Sequence, residues 1–224
     1  MGLGDIFFPE ICPVCKRALV GEEKYVCLRC FIDLPYSHFW SWRDNPAEVM
    51  LKELMSIEAA VSLFVYRRES GWKDLIYKFK YRNDKILGRW LSKLLGEKLV
   101  ESGMAEDIDM IVPVPLHPLK KWKRGFNQTE VIAKELGKIL WRASVEKNVL
   151  KRVRYSSSQT VKGRQTREAA VSGAFVLSRC SIEGKHILLV DDVLTTGATL
   201  TACGREILSV PRTKLTIATL AYVE

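Results

Sequence analysis

Two rhythms of apolar and polar positions run along this chain. Short, nearly unbroken apolar runs occur at Ala59 to Tyr66, Met110 to Val114, Ala174 to Leu177, His186 to Val190 and Leu215 to Tyr222. Runs of this length suit strands covered on both faces. Between them the spacing turns helical. It does so from Trp72 to Tyr81 and from Ile86 to Val100, the latter with Leu87, Leu91, Leu94, Leu95 and Leu99. It does so again from Asn127 to Trp141, with Val131, Leu136 and Leu140, and from Ala198 to Leu208. Strands alternating with helices predict an α/β domain with a doubly wound, mainly parallel sheet. The stretch 151–169 has no period and contains Ser156, Ser157, Ser158 and Gly163, so it reads as a loop.

No run approaches the roughly 18 apolar residues of a membrane span, so no membrane insertion is expected. Met1 to Glu10 lacks the basic, apolar and small-residue regions of a secretion signal, and the expected location is the cytoplasm. The net charge of +9 over 224 residues is unevenly spread. Residues 1–60 hold six basic and nine acidic side chains, and the rest of the chain 29 basic and 17 acidic. Lys147, Lys151, Arg152, Arg154, Lys162, Arg164 and Arg167 fall in one segment without an acid. That bias suits a polyanion, either nucleic acid or a small molecule with several phosphates.

Four of the six cysteines are clustered: Cys12-Pro-Val-Cys15 and, eleven residues on, Cys27-Leu-Arg-Cys30. Two such knuckles can wrap four thiolates around one Zn²⁺, with Gly21 available for a turn between them. Paired disulfides do not suit a cytosolic chain, and redox motifs would need a thioredoxin-like context. A structural zinc site with no position for a catalytic water is therefore expected. It would lie in a small module and linker over residues 1–58, ahead of an α/β domain over 59–224.

The densest chemistry lies in Ile187-Leu-Leu-Val-Asp191-Asp192-Val-Leu-Thr195-Thr196-Gly197-Ala198-Thr199. A buried strand should end at two carboxylates, and a threonine-rich loop then opens a helix. Loop N–H groups, hydroxyls and the helix N-terminus make a phosphate cradle, and Gly197 lets the backbone come close. Carboxylates ahead of it suit sugar hydroxyls or Mg²⁺. The combination asks for a ribose 5-phosphate. Leu116 to Arg124 follows a strand end with His117, Lys120, Lys121, Lys123 and Arg124, as a pyrophosphate-contacting loop would. Trp40, Trp42, Trp72, Tyr77, Phe79 and Tyr81, with Lys78, Lys80 and Arg82 among them, could stack and contact nucleic-acid bases, although core packing competes for about half of such aromatics.

These thirteen residues resemble the phosphoribosyl pyrophosphate (PRPP) motif of type I phosphoribosyltransferases. Val112-Pro-Val-Pro-Leu116-His117 and Arg124-Gly-Phe-Asn-Gln128 resemble the ComF family of competence proteins. So do Phe79-Lys80-Tyr81, Arg154 with Gln159 and Arg167, Gly173-Ala-Phe175 and the four-cysteine N-terminus. Two departures stand out: Ala170 where that family usually has Asn, and Lys162 where an apolar residue is common.

The resemblance implies a type I phosphoribosyltransferase-like sheet behind a zinc module. Asp191 and Asp192 would hold the ribose hydroxyls, and Thr195, Thr196, Gly197, Ala198 and Thr199 the 5-phosphate. Leu116, His117 and Arg124 would serve the pyrophosphate with Mg²⁺, and Arg164 or Arg167 would reach it from a closing loop over 154–167. It also implies a role in DNA uptake, handling single-stranded DNA in the cytoplasm beside a helicase. Two alternatives fit the same motifs. One is a metabolic Mg-dependent transferase acting on a nucleobase or amine, although no acceptor signature is recognisable. The other is a PRPP-sensing regulator.

Overall fold

A computed structural model describes residues 10–154, 173–178 and 181–224. Its centre is a five-stranded parallel sheet in the order β1-β7-β6-β2-β3. The strands are β1 (Ala59–Tyr66), β2 (Met110–Pro113), β3 (Ser144–Val145), β6 (His186–Leu194) and β7 (Lys214–Val223). An antiparallel pair, β4 (Leu150–Arg152) with β5 (Phe175–Leu177), stands apart. The helices are α1 (Leu28–Ile32), α2 (Pro46–Lys52), α3 (Lys73–Tyr81), α4 (Lys85–Glu101), α5 (Pro118–Arg124), α6 (Gln128–Ile139) and α7 (Ala198–Leu208).

The sheet is doubly wound, as its apolar strands require. One face packs Leu188, Val190 and Ala218 against Leu75 and Phe79 of α3, Leu91 and Leu95 of α4, and Ile132 of α6. The other packs Ile187, Leu189 and Ile217 against Leu51 of α2, Leu200 and Ile207 of α7, and Phe175 of β5. No described helix is long and apolar enough to cross a membrane.

The expected strands and long helices form where the apolar periods place them, with two differences. Strand β6 does not stop at Val190: β7 runs beside it to Val223, so pairing carries β6 through both aspartates to Leu194. Leu116 to Arg124 is not all loop. His117 Nδ1 accepts from the Leu119 N–H at 3.3 Å, Pro118 occupies the first turn, and Gly125 closes α5 at φ +77°.

A third feature concerns residues 33–58, part of the expected module and linker over 1–58. They pack on the sheet. Ser37 N–H donates to Leu63 O and Val65 N–H to Pro35 O, covering the outer edge of β1. Asn45 caps α2 through the Ala47 and Glu48 N–H groups and donates to Ala60 O on β1. The cysteine knuckles join the same body, because Cys12, Cys27, Cys30 and Leu34 share one apolar cluster with Phe64, Leu75 and Leu91.

Helix α4 approaches α3 so closely that a Cβ on Gly88 would lie 2.2 Å from Phe79 Cε2. Phe79 is fully buried. In an exposed helix a Gly→Ala change gains about 1 kcal/mol, but here it must displace a core ring. Gly88→Ala is expected to destabilise the chain by roughly 1–3 kcal/mol in urea unfolding, as overpacking does; a gain in stability would show that the ring relocates freely.

Candidate functional site

Chain order fixes where a ligand can enter. From β2 the chain passes outward to β3, whereas from β6 it passes the other way to β7. The crevice beyond the C-terminal ends of β2 and β6 is therefore the switch point of the sheet, the usual ligand position in such folds. Both predicted chemical segments emerge there: Leu116 to Arg124 after β2, and Asp191 to Thr199 along and after β6.

Asp191 and Asp192 are consecutive strand residues, so their side chains leave opposite faces of the sheet. Asp192 turns to the α3 side, where Lys80 Nζ lies 2.8 Å from its Oδ1. Asp191 accepts the Asp192 N–H at 2.8 Å and faces the α7 side, with Arg152 and the buried Cys203 for neighbours. Burial, reinforced by the Asp192 charge, pushes the Asp191 carboxyl up to about 7 against the pull of Lys80 and Arg152. Burial opposes the charge on Lys80 as well, but Asp192 outweighs it and the ammonium is held above its ordinary value.

The loop after β6 turns at Gly197, φ +75°, which stands as N-cap of α7 without a side-chain cap bond. Thr195 is exposed, Thr196 and Thr199 are half-buried, and Ala198 is buried. A Cβ on Gly197 would sit 2.9 Å from Leu51 Cδ2, with Leu54 and Met50 next. Helix α2, inside the expected module and linker over residues 1–58, is thus the floor of the Gly197 loop.

The residues 124–128 segment binds this wall together. Asn127 Nδ2 and Thr129 Oγ1 both donate to Val114 O at the end of β2, at 3.2 and 2.7 Å. Gln128 donates to Lys80 O and accepts from Arg124 Nη1, so it holds the two cations in one frame. Lys120 lies near Arg152 and Arg124. Burial lowers its affinity for a proton, and those two charges lower it further. Lys80, Lys120, Arg124 and Arg152 therefore converge around the acids. Arg152 was expected only as part of a basic loop; its place on β4, beside the acids, depends on a strand pair too short to carry a period. Leu116 is half-buried at the crevice, and His117 caps α5. Arg164, Arg167, Lys162, Ala170, Gln159 and most of the expected closing loop lie outside the described residues.

The three nucleic-acid candidates separate. Lys80 belongs to the crevice, Lys78 pairs with Asp84 at 3.2 Å, and Arg82 is exposed. The aromatics separate too. Phe79 is core, Trp40 and Trp72 pack against it, and Trp42, Tyr77 and Tyr81 are exposed.

Cys12, Cys15, Cys27 and Cys30 come together with their sulfurs all within 4.8 Å of one another, and all four are free thiols. Four sulfurs about 2.3 Å from a central ion would lie just under 4 Å apart; Cys15 and Cys27 are at 3.6 Å. The cluster can hold one zinc ion. Each knuckle is a turn: Lys16 N–H returns to Cys12 O, and Cys27 caps α1 through the Cys30 N–H. Burial alone would raise the Cys12 thiol, but N–H groups of Cys15, Cys27 and Val14 bring it down to about 7. Cys203 is buried, and Cys180 lies outside the described residues.

Residues 97–224 match the family described as phosphoribosyl transferase domain, and the chain belongs to that family. The fold is that of type I phosphoribosyltransferases. Among its relatives, the DNA utilization protein YhgH of Escherichia coli K12 is 28% identical over 193 residues, 85% of this chain and 80% of that protein. Competence protein F of Haemophilus influenzae is 31% identical over 131 residues, 56% of this chain and 57% of that protein. Competence protein ComFC of Bacillus subtilis is 25% identical over 192 residues, 85% and 68% respectively.

Two outcomes follow from these geometries. Because the cysteines share the main apolar cluster, stripping metal with a chelator should lower the melting temperature of the whole chain by roughly 10 °C or more, in one transition. An unchanged main transition would make the cluster a detachable clip. For Asp191, a proton held up to about 7 means the folded state is penalised by an ionised, half-buried carboxylate above that pH. Asp191→Asn should raise the melting temperature by a few degrees at pH 8, at roughly 2–4 °C per kcal/mol, and the gain should shrink as the pH falls below about 7, vanishing only near the ordinary carboxylate value of about 4, where the unfolded chain protonates too. A pH-independent effect would refute the buried-charge account.

Proposed function

We propose that this chain binds PRPP with Mg²⁺ in the switch-point crevice and handles single-stranded DNA in the cytoplasm during DNA uptake or use. The observation that carries the donor half is the convergence of the Gly197 loop, the acid pair and four cations at one sheet edge. The N–H groups and hydroxyls of 195–199 suit the 5-phosphate. The acids, leaving both faces of the strand end, suit ribose hydroxyls. Lys80, Lys120, Arg124 and Arg152 suit the pyrophosphate, on which several charges must be neutralised at once.

The acid pair also offers the hard oxygen donors Mg²⁺ takes, and Asp191 or Asp192 would hold that ion beside the donor's own oxygens. Bound there, the ion would neutralise charge on the pyrophosphate. Within the protein, Lys80 screens Asp192 until a hydroxyl approaches, and the Gln128 bridge keeps Lys80 and Arg124 aligned for the anion. The zinc ion expected on the four cysteines is structural.

The DNA half is supported by the names of the relatives and by the basic bias of residues 61–224. A helicase of the uptake machinery is the expected protein partner. Calorimetric titration of Mg-PRPP should show binding that Asp192→Ala weakens at least tenfold. Labelled single-stranded DNA should bind with an affinity that falls steeply with salt, because several phosphates are neutralised. Added Mg-PRPP should shift that affinity, coupling the two ligands. If Mg-PRPP does not bind, the donor reading fails; if DNA binds at no salt concentration, the chain is a metabolic transferase or a PRPP sensor.

A further inference from the structure

Helix α3 has three commitments. Leu75, Ile76 and Phe79 enter the core, and Lys80 reaches Asp192. Tyr77 and Tyr81, one turn apart, stand outside at 54% and 59% exposure with ring centroids 4.9 Å apart. Folding makes little use of these two rings.

Their surroundings are cationic at both ends. Arg124 lies with its guanidinium carbon 5.1 Å from the Tyr81 ring centroid and its Nη2 3.4 Å from the Tyr81 hydroxyl. The same Arg124 is held by Gln128 beside Lys80, at the mouth of the donor crevice. At the other end Tyr77, Lys78 and Arg82 line a cavity of about 370 Å³ with Lys16 and Asp74, against the first cysteine knuckle. Lys16 is paired to Asp74 and Lys78 to Asp84. That leaves Arg82 and Arg124 as the stronger anion donors flanking the two rings. A path of cation, ring, ring and cation therefore runs from the knuckle to the crevice.

On the reading of this chain as a DNA-handling protein, we propose that Tyr77 and Tyr81 are the base-stacking platform of a single-strand groove along α3. Arg82 and Arg124 take the flanking phosphates. The arrangement selects unpaired bases, because a duplex hides the faces that stacking needs, whereas any single-stranded base offers one. The alternation of rings with arginines suits a polyanion carrying flat groups better than an apolar partner or a lipid surface. Arg124 belongs to both paths, so the strand and the donor meet there.

The test compares wild type, Tyr77→Ala/Tyr81→Ala and Tyr77→Phe/Tyr81→Phe by fluorescence polarisation. The probes are a labelled thymidine oligomer of about 16 nucleotides and an abasic phosphodiester oligomer of equal length. Circular dichroism melting and zinc content check that each variant is folded. The alanine pair should bind the thymidine oligomer roughly 10- to 100-fold more weakly, as loss of stacking on one or two bases implies. The phenylalanine pair should stay within about twofold of wild type, because the rings remain. The abasic oligomer should bind wild type no better than the alanine pair, and the salt slope should be the same in both, since no phosphate contact is lost.

Unchanged thymidine affinity in the alanine pair overturns the platform and leaves the DNA reading standing. Equal binding of abasic and thymidine oligomers overturns it as well, leaving attraction by charge alone. If wild type binds neither oligomer, the DNA reading falls and the platform with it. Sedimentation with anionic phosphatidylglycerol vesicles that the alanine pair loses, with thymidine binding intact, would reassign the rings to a lipid surface.

Discussion

Two adjacent carboxylates on the central strand cannot both stay charged at a buried sheet edge unless cations face them from both sides. That requirement organises the crevice. Because the strand alternates, Asp192 must be answered from the α3 face and Asp191 from the α7 face. Lys80 gives the first answer at 2.8 Å and Arg152 the second. Burial and the Asp192 charge still outweigh the pull of Lys80 and Arg152, so the Asp191 carboxyl is pushed up to about 7. The cost of holding two such acids in place is borne by the surrounding sheet.

The cations are in turn held by structure that has no charge of its own. Gln128 spans Arg124 and the Lys80 carbonyl, while Asn127 and Thr129 fasten the same segment to Val114 O. These polar residues are buried, so each bond replaces one to water and a lost partner would be costly. The conspicuous Arg-Gly-Phe-Asn-Gln sequence is thus a fastening between β2, α3 and α6, with Arg124 as the member that faces the crevice.

The N-terminal part belongs to the same body. Its cysteine knuckles sit in the core cluster of α3 and α4, its residues 35–37 cover the edge of β1, and its α2 lies beneath Gly197. The geometry of the cysteine cluster and that of the Gly197 loop are therefore linked through packing. A four-cysteine cluster 100 residues or more from the loop in sequence can thus support it through the core.

What the sequence by itself determined is whatever local periods and close spacings encode: the strands and long helices, the two knuckles, the acid pair and the threonine loop. Apolar runs and four-residue spacings report burial directly, since each residue's exposure follows from its neighbours' positions on the same element. The pairing of Lys80 with Asp192, over a hundred positions apart, has no such local signal, and neither has the arrival of Arg152 beside Asp191. Nor could spacing say that Phe79 goes inward while Tyr77 and Tyr81 go out together, or that Leu51 packs beneath Gly197. These were decided by which helix lies on which face of the sheet, a choice made by long-range packing among segments that carry no record of one another in their order.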